Sequence, residues 1–254
     1  MTDYLLVLGL ACLPALGNFG GGVLAEFLRP SRRMLNRALH AAAGIIIAVV
    51  AVEVMPEALE ATPAWAIAGA FLLGGGFYML IEWAIERWQE RSGGGDASGA
   101  TAMWMVYVAI AADLFGDGLL IGTGSAVSPG LALVLALGQV LADIPEGYAG
   151  IANFRDKGVP RGRRLLLSAS FAVPVLLAAT LAYFLLRGQS EAVKKSEAVK
   201  MSALVFTAGL YTLAAVEDMV AEAHESAEDT RLSALSFLGG FALFTLVSGY
   251  FEAG

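Results

Sequence analysis

The chain has 254 residues, of which 57% are hydrophobic and 15% are charged, and its formal net charge is −7. A soluble domain is usually about 45–50% apolar and about 25% charged, so this composition, with a mean hydropathy of +0.69, indicates a membrane protein. No basic patch with interleaved aromatic residues is present, which argues against nucleic-acid binding. The single cysteine, Cys12, excludes an internal disulfide and a cysteine-cluster metal site.

Eight apolar runs follow one another along the chain, each with the roughly 20 residues that a membrane-spanning helix needs. They are residues 3–27, 38–56, 64–86, 103–124, 129–153, 165–186, 201–221 and 232–251. We therefore predict an all-α membrane protein with a single eight-span domain over residues 1–254. The first run has no basic segment before it, so we expect a retained span rather than a cleaved signal peptide. A stretch rich in Gly and Ser, about 89–101, predicts a flexible cytoplasmic linker.

Lys and Arg residues concentrate in the loops of one side. Twelve lie in the loops after spans 1, 3, 5 and 7, whereas four lie in the loop after span 6. The twelve are Arg29, Arg32, Arg33, Arg37, Arg87, Arg91, Arg155, Lys157, Arg161, Arg163, Arg164 and Arg231, and the four are Arg187, Lys194, Lys195 and Lys200. This excess predicts a multi-pass protein of the cell (plasma or inner) membrane with both termini outside the cytoplasm.

A short sequence recurs in two distant spans. The second span contains AVEVMPEA at 51–58, and the seventh contains AVEDMVAEA at 215–223. In the predicted topology these spans cross the membrane in opposite directions, which is typical of inverted-repeat transporters. A chance similarity between apolar segments is the alternative.

Acidic side chains lie inside the apolar spans, where a charged group costs at least about 2.5 kcal/mol on the insertion scale. Asp113 and Asp117 in the fourth span are four residues apart, and Asp143 and Glu146 in the fifth are three apart, so each pair shares a helix face. If those faces meet, four carboxylates converge near mid-membrane. No Lys or Arg lies in the central part of any span, so a bound cation or protons must neutralise the carboxylates. Protonated carboxyls that join helices are the alternative to a cation site.

The two acidic motifs, DLFGDGLLIG at 113–122 and ADIPEGYAG at 142–150, resemble the paired metal-binding motifs of the ZIP (Zrt/Irt-like) divalent-metal transporters. IPEG at 144–147 matches directly, and GDG at 116–118 occupies the corresponding place in the fourth span. AAGIIIAVVAVEVMPEAL and TAGLYTLAAVEDMVAEAH are similar to that family's second and seventh spans. The resemblance covers nearly the whole chain. It implies a ZIP-like helix bundle in which spans 1–3 and 6–8 form an inverted repeat around central spans 4 and 5.

The resemblance also implies roles for individual residues. Asp117 and Glu146 match the family's paired acidic metal ligands, and Asp143 matches the polar ligand before Ile-Pro-Glu-Gly. Asp113 stands where the family usually has its first histidine.

Four further residues are candidates for the transport path. Glu217 and Asp218 match an acidic pair that lies near the family's cytoplasmic exit. Glu53, in the outer half of the second span, could attract cations at the entrance. His224, just after the seventh span, could gather metal that leaves the path, although an exposed helix end is the alternative there.

The chain departs from the family pattern at several ligand positions. Leu114 replaces the usual Asn, Gly116 the usual Pro, and Ala142 the usual His or polar residue. We therefore expect one carboxylate site instead of a two-metal centre with histidines. Its expected ligands are Asp113, Asp117, Asp143 and Glu146. Carboxylates suit harder ions such as Mn²⁺, Mg²⁺ or Ca²⁺, Zn²⁺ also accepts carboxylate oxygens, and the resemblance implies zinc or iron.

Together these observations predict import of divalent metal cations by alternating access through a carboxylate site between spans 4 and 5. We expect zinc as the main cargo, with iron, manganese and cadmium as further candidates, and no catalytic cofactor. The expected partners are these ions and the lipid bilayer, and a homodimer is also considered. No His-Glu-x-x-His or Gly-x-Ser-x-Gly motif is present, so we do not expect an enzyme. A membrane metal sensor or receptor of the same fold without transport activity is the alternative.

Overall fold

The computed structural model describes residues 2–28, 32–91, 99–187, 197–220 and 231–252. Regular structure in these residues is helical, and no strand occurs among them. Eight of the helices are long and apolar enough to cross a membrane. The prediction of an all-α structure with eight helices of membrane-spanning length is therefore confirmed for the described residues, and it fits a multi-pass membrane protein.

The eight membrane-length helices are numbered α1 to α8 in chain order, and three of them change geometry or break along their length. Their bounds are α1, Thr2–Phe27; α2, Arg32–Ala48 followed by the π-helical Val49–Val54 and by Met55–Ala61; α3, Ala64–Arg91; α4, Gly99–Val127; α5, Pro129–Asp156; α6, Arg161–Ser170 and Ala172–Arg187; α7, Glu197–Ala214 followed by the π-helical Ala215–Val220; and α8, Arg231–Glu252.

Several helices extend past the predicted spans at polar ends, because hydropathy detects only the apolar part of a helix. The second helix begins at Arg32, before the predicted start at residue 38, since the Arg-rich turn ahead of the apolar run is also helical. The third helix continues to Arg91 and the fourth begins at Gly99. Both ends of the predicted linker, about 89–101, are therefore helical, and its middle, residues 92–98, lies outside the described residues.

The helices pack as two groups of four. In the first group, α1 packs on α5, α4 packs on α6, and α4 and α5 lie side by side. In the second group, α2 packs on α8 and α3 packs on α7. The groups meet where α2 contacts α5 and where α4 contacts α7. This set of contacts is unchanged when α1 is exchanged with α6, α2 with α7, α3 with α8 and α4 with α5.

Two close helix crossings in the second group, α2 with α8 and α3 with α7, are related by the same exchange. Gly44 of α2 and Gly240 of α8 each lie so near the other helix that a Cβ would overlap a backbone carbonyl oxygen there. The crossing of α3 with α7 is made in the same way by Gly74 and Gly209. Small residues of this kind let membrane helices approach closely.

The recurring sequence coincides with the two π-helical segments. Val49–Val54 contains Ala-Val-Glu-Val of the second span, and Ala215–Val220 contains Ala-Val-Glu-Asp of the seventh. Short π-helical stretches inside α-helices are uncommon and are frequently found at functional sites. The similarity between the two spans thus extends from their sequence to an unusual local backbone geometry.

Candidate metal site

Three aspartates meet between the middles of α4 and α5. Asp113 and Asp117 come from α4 and Asp143 comes from α5, and one carboxylate oxygen of each lies within 4.8 Å of the other two. Asp117 and Asp143 are buried, at 0% and 1% exposure, and Asp113 is half-buried. The sequence predicts four converging acids between these two helix faces, and three of them lie together in the structure.

Two glycines fix the position of Asp117 within the bundle. A Cβ on Gly116 would lie 3.0 Å from the Cε2 atom of Tyr211 in α7, and a Cβ on Gly118 would overlap the carbonyl oxygen of Val175 in α6. The GDG motif therefore lies where α4 touches both α6 and α7. Because Asp117 stands between these two contacts, its backbone is held closely on either side.

The buried aspartates have few hydrogen-bond donors around them. Gln139 of α5 donates from Nε2 to Oδ1 of Asp117. Among the described residues, no amide, hydroxyl or backbone N–H donates to Oδ2 of Asp117 or to either oxygen of Asp143, and no ion pair joins these two side chains to Lys or Arg. Buried carboxylates without donors are costly unless a cation is bound or the charge is removed. Oxygen clusters of this kind are ligands for hard and borderline divalent cations.

The fourth predicted ligand, Glu146, is buried but is not part of this three-carboxylate group. Its Oε2 accepts a hydrogen bond of 3.4 Å from Nδ2 of Asn18 in α1. The first helix reaches this point because α1 and α5 cross very closely, and a Cβ on Gly147 would overlap the backbone oxygen of Asn18. The structure therefore brings together three of the four predicted ligands and pairs the fourth with α1.

Sequence reasoning missed two buried amides beside the carboxylates. Asn18 and Gln139 are both fully buried, and their amide oxygens have no hydrogen-bond partner among the described residues. A signal was present, since each is an uncharged polar residue inside an apolar span. Gln139 also precedes Asp143 by four residues, which places both on one face of α5.

Two of the predicted path residues, Glu53 and Glu217, are not part of the aspartate group. Glu53 is buried within the π-helical segment of α2, and Glu217 is exposed within that of α7. Asp218 belongs to the same segment of α7. His224 lies outside the described residues.

A cavity of about 350 Å³ lies where the ends of α2 and α4 meet the start of α7. Acidic side chains line it, together with one lysine: Glu57, Glu60, Glu197 and Lys200. In the predicted topology these helix ends face away from the cytoplasm.

No protein-family model matches this chain, and no curated protein matches it.

Proposed function

We propose that this protein carries divalent metal cations into the cytoplasm through a carboxylate site between α4 and α5, with zinc as the main cargo. Iron, manganese and cadmium are further candidates. One observation carries the proposal, namely the approach of Asp113, Asp117 and Asp143 to within 4.8 Å of one another at the centre of two apolar helices. Like charges this close in a low-dielectric region repel strongly, and a divalent cation relieves that repulsion.

The packing of the helices supports a transporter rather than a static binding protein. Exchange of the four helix pairs leaves the main helix contacts unchanged, and the recurring sequence is π-helical in both copies. If every helix crosses the membrane once, the paired helices run in opposite directions, as in inverted-repeat transporters. We therefore infer a ZIP-like bundle with spans 1–3 and 6–8 repeated around spans 4 and 5.

The position of the site suits alternating access. Its three aspartates belong to the group formed by α1, α4, α5 and α6, close to the contact of Gly116 with Tyr211 in the other group. Movement of one helix group against the other would change which side of the membrane reaches the site. Metal would collect at the acidic cavity lined by Glu57 and Glu60, pass to the aspartates, and leave past Glu217 and Asp218.

The ligands available bear on the choice of metal. Carboxylate and amide oxygens surround the site, and His40, the histidine within the described residues, is not among the residues that form it. Such a set suits Mn²⁺ and Zn²⁺, and weaker binding than that of a histidine site favours release on the far side. We therefore expect zinc transport with limited discrimination against other divalent ions.

The test is metal uptake into proteoliposomes that contain the purified full-length protein. Uptake of Zn²⁺, Fe²⁺, Mn²⁺, Cd²⁺ and Mg²⁺ should be compared with and without a pH gradient. Asp117→Asn and Asp143→Asn keep the side-chain volume and should abolish uptake. Thr123→Val is a matched control, because Thr123 is buried in α4 and its hydroxyl donates only within its own helix, to the carbonyls of Leu119 and Leu120.

The outcomes of this test separate the two candidate functions. Zn²⁺ uptake that both asparagine variants lose supports transport. Binding of Zn²⁺ to the protein without uptake would favour a metal sensor or receptor of the same fold. If none of the five metals binds or moves, the proposed function is wrong.

A further inference from the structure

Gln139 reaches across the helix interface that carries the three aspartates. It lies in α5, four residues before Asp143, and it is fully buried. Its amide Nε2 donates a hydrogen bond to Oδ1 of Asp117 in α4. Gln139 is therefore a neutral side chain joined directly to one carboxylate of the group while it shares a helix face with another.

This hydrogen bond makes the two oxygens of Asp117 unequal. Oδ1 accepts the amide hydrogen, whereas no amide, hydroxyl or backbone N–H of the described residues donates to Oδ2. A cation that approached both oxygens equally would meet the positive end of the amide N–H dipole beside Oδ1. While the bond is in place, Asp117 thus offers a cation one oxygen, and its orientation is fixed from outside the ligand group.

The number of oxygens that each carboxylate offers affects which ions a site holds. Ca²⁺ takes about six to eight oxygen ligands and often uses both oxygens of a carboxylate. Zn²⁺ is usually bound by about four ligands. Hydrogen bonds to metal ligands from residues outside the ligand set commonly change metal affinity by about 10–100-fold.

We propose that Gln139 determines cargo specificity by holding Asp117 as a one-oxygen ligand, so that small divalent ions with few ligands, Zn²⁺ above all, are accepted and Ca²⁺ is rejected. The role rests on the proposed transport function. Gln139 is a positioning residue in this scheme, because it acts on the cargo through Asp117.

The experiment is competition between Zn²⁺ and Ca²⁺ in proteoliposomes containing the full-length protein. Gln139→Met keeps a side chain of similar length and removes the donor, and Gln139→Glu removes the donor and adds a carboxylate. We expect Ca²⁺ to inhibit Zn²⁺ uptake at least about tenfold more strongly, relative to the KM for Zn²⁺, in both variants. Ca²⁺ uptake itself should become measurable. Thr123→Val loses a buried hydroxyl on the facing helix and should keep the wild-type ratio.

The ratio of Ca²⁺ inhibition to Zn²⁺ affinity separates specificity from a general loss of packing. A packing defect lowers the maximal uptake rate, yet it leaves this ratio unchanged. If one glutamine variant fails to fold, the other decides the result. An unchanged ratio in a folded variant would overturn the role of Gln139 while leaving transport intact, whereas wild-type protein that neither binds nor moves Zn²⁺ overturns both proposals.

Discussion

Arg164 of α6 donates two hydrogen bonds to Glu26 of α1, from Nε to Oε1 at 2.7 Å and from Nη2 to Oε2 at 2.8 Å. Both side chains are largely buried. Nη1 of Arg164 also donates to the carbonyl of Val159 in the connection between α5 and α6. One guanidinium therefore ties together α1, α6 and the preceding loop, at the end of the helix group that carries the aspartates.

Loss of this ion pair should destabilise the protein strongly. Glu26→Ala leaves a buried guanidinium without its carboxylate, and breaking a buried pair typically costs about 3–5 kcal/mol. Thermal unfolding in detergent should show this loss as a lowered Tm. Arg163→Ala provides the control, because Arg163 is an exposed neighbour and its removal should leave the Tm nearly unchanged. Equal Tm values for wild type and Glu26→Ala would show that the pair does not stabilise the fold.

Two adjacent glycines in α1 should respond oppositely to the same substitution. A Cβ on Gly21 would overlap the backbone oxygen of Ile144 in α5, whereas a Cβ on Gly20 meets no atom within 4 Å. Gly21→Ala should therefore lower stability by about 1–3 kcal/mol, the usual cost of overpacking. Gly20→Ala should be neutral or stabilising by up to about 1 kcal/mol, because alanine suits a helix interior better. Thermal unfolding measures both variants. Equal Tm values for Gly21→Ala and Gly20→Ala would contradict the close crossing of α1 and α5.

The helices of this chain could be predicted because membrane insertion requires long apolar runs. Their ends could not, since residues such as Arg32 and Arg91 continue a helix beyond the apolar part. Hydropathy reports the environment of a residue, whereas the helix continues as long as its backbone hydrogen bonds do. The grouping of α1 with α4, α5 and α6 depends on side-chain packing, which no single apolar run reveals.

The candidate site could be predicted in part. Asp113, Asp117 and Asp143 stood out because acids in apolar spans are costly and their spacing places them on helix faces. Two side chains that are three residues apart on an α-helix point in directions about 60° apart around the helix axis. Asp143 and Glu146 can therefore face different neighbouring helices. Asp143 joins the group with α4, while Glu146 accepts a hydrogen bond from Asn18 of α1. The different partners of Asp143 and Glu146 depend on which helices flank α5. Local sequence patterns therefore could not predict them.

Cysteine labelling can test the predicted orientation. Cys12 is the only cysteine, so Cys12→Ala gives a background without thiols. Two exposed positions at opposite predicted ends, Glu60 and Arg163, can then be changed one at a time to cysteine. A membrane-impermeant maleimide should label Glu60→Cys in right-side-out vesicles and Arg163→Cys in inverted vesicles. The reverse pattern would show that the termini face the cytoplasm and that the proposed direction of transport is wrong.

Asp143→Asn should have opposite effects on the stability of the metal-free and the metal-loaded protein. Without metal, the change removes a buried charge that repels those of Asp113 and Asp117, so the Tm should rise. With metal, wild type gains stability by mass action, about 2.7 kcal/mol when the free metal is 100 times its Kd. Asp143→Asn lacks this gain because it lacks a ligand. In thermal unfolding with chelator, Asp143→Asn should therefore have the higher Tm, whereas with added Zn²⁺ wild type should have the higher Tm.

The Tm measured with chelator also distinguishes between two explanations of the aspartates: a cation site, and protonated carboxyls that only join helices. If protonated carboxyls held α4 and α5 together, replacing Asp143 by asparagine would disturb a stabilising hydrogen bond, and the metal-free Tm would fall. Thr123→Val again serves as the control, because it should shift the Tm equally with and without Zn²⁺. A rise in the metal-free Tm of Asp143→Asn, combined with loss of the Zn²⁺ response, is expected only when the empty site is strained by its own charges, as a site built to hold a passing cation would be.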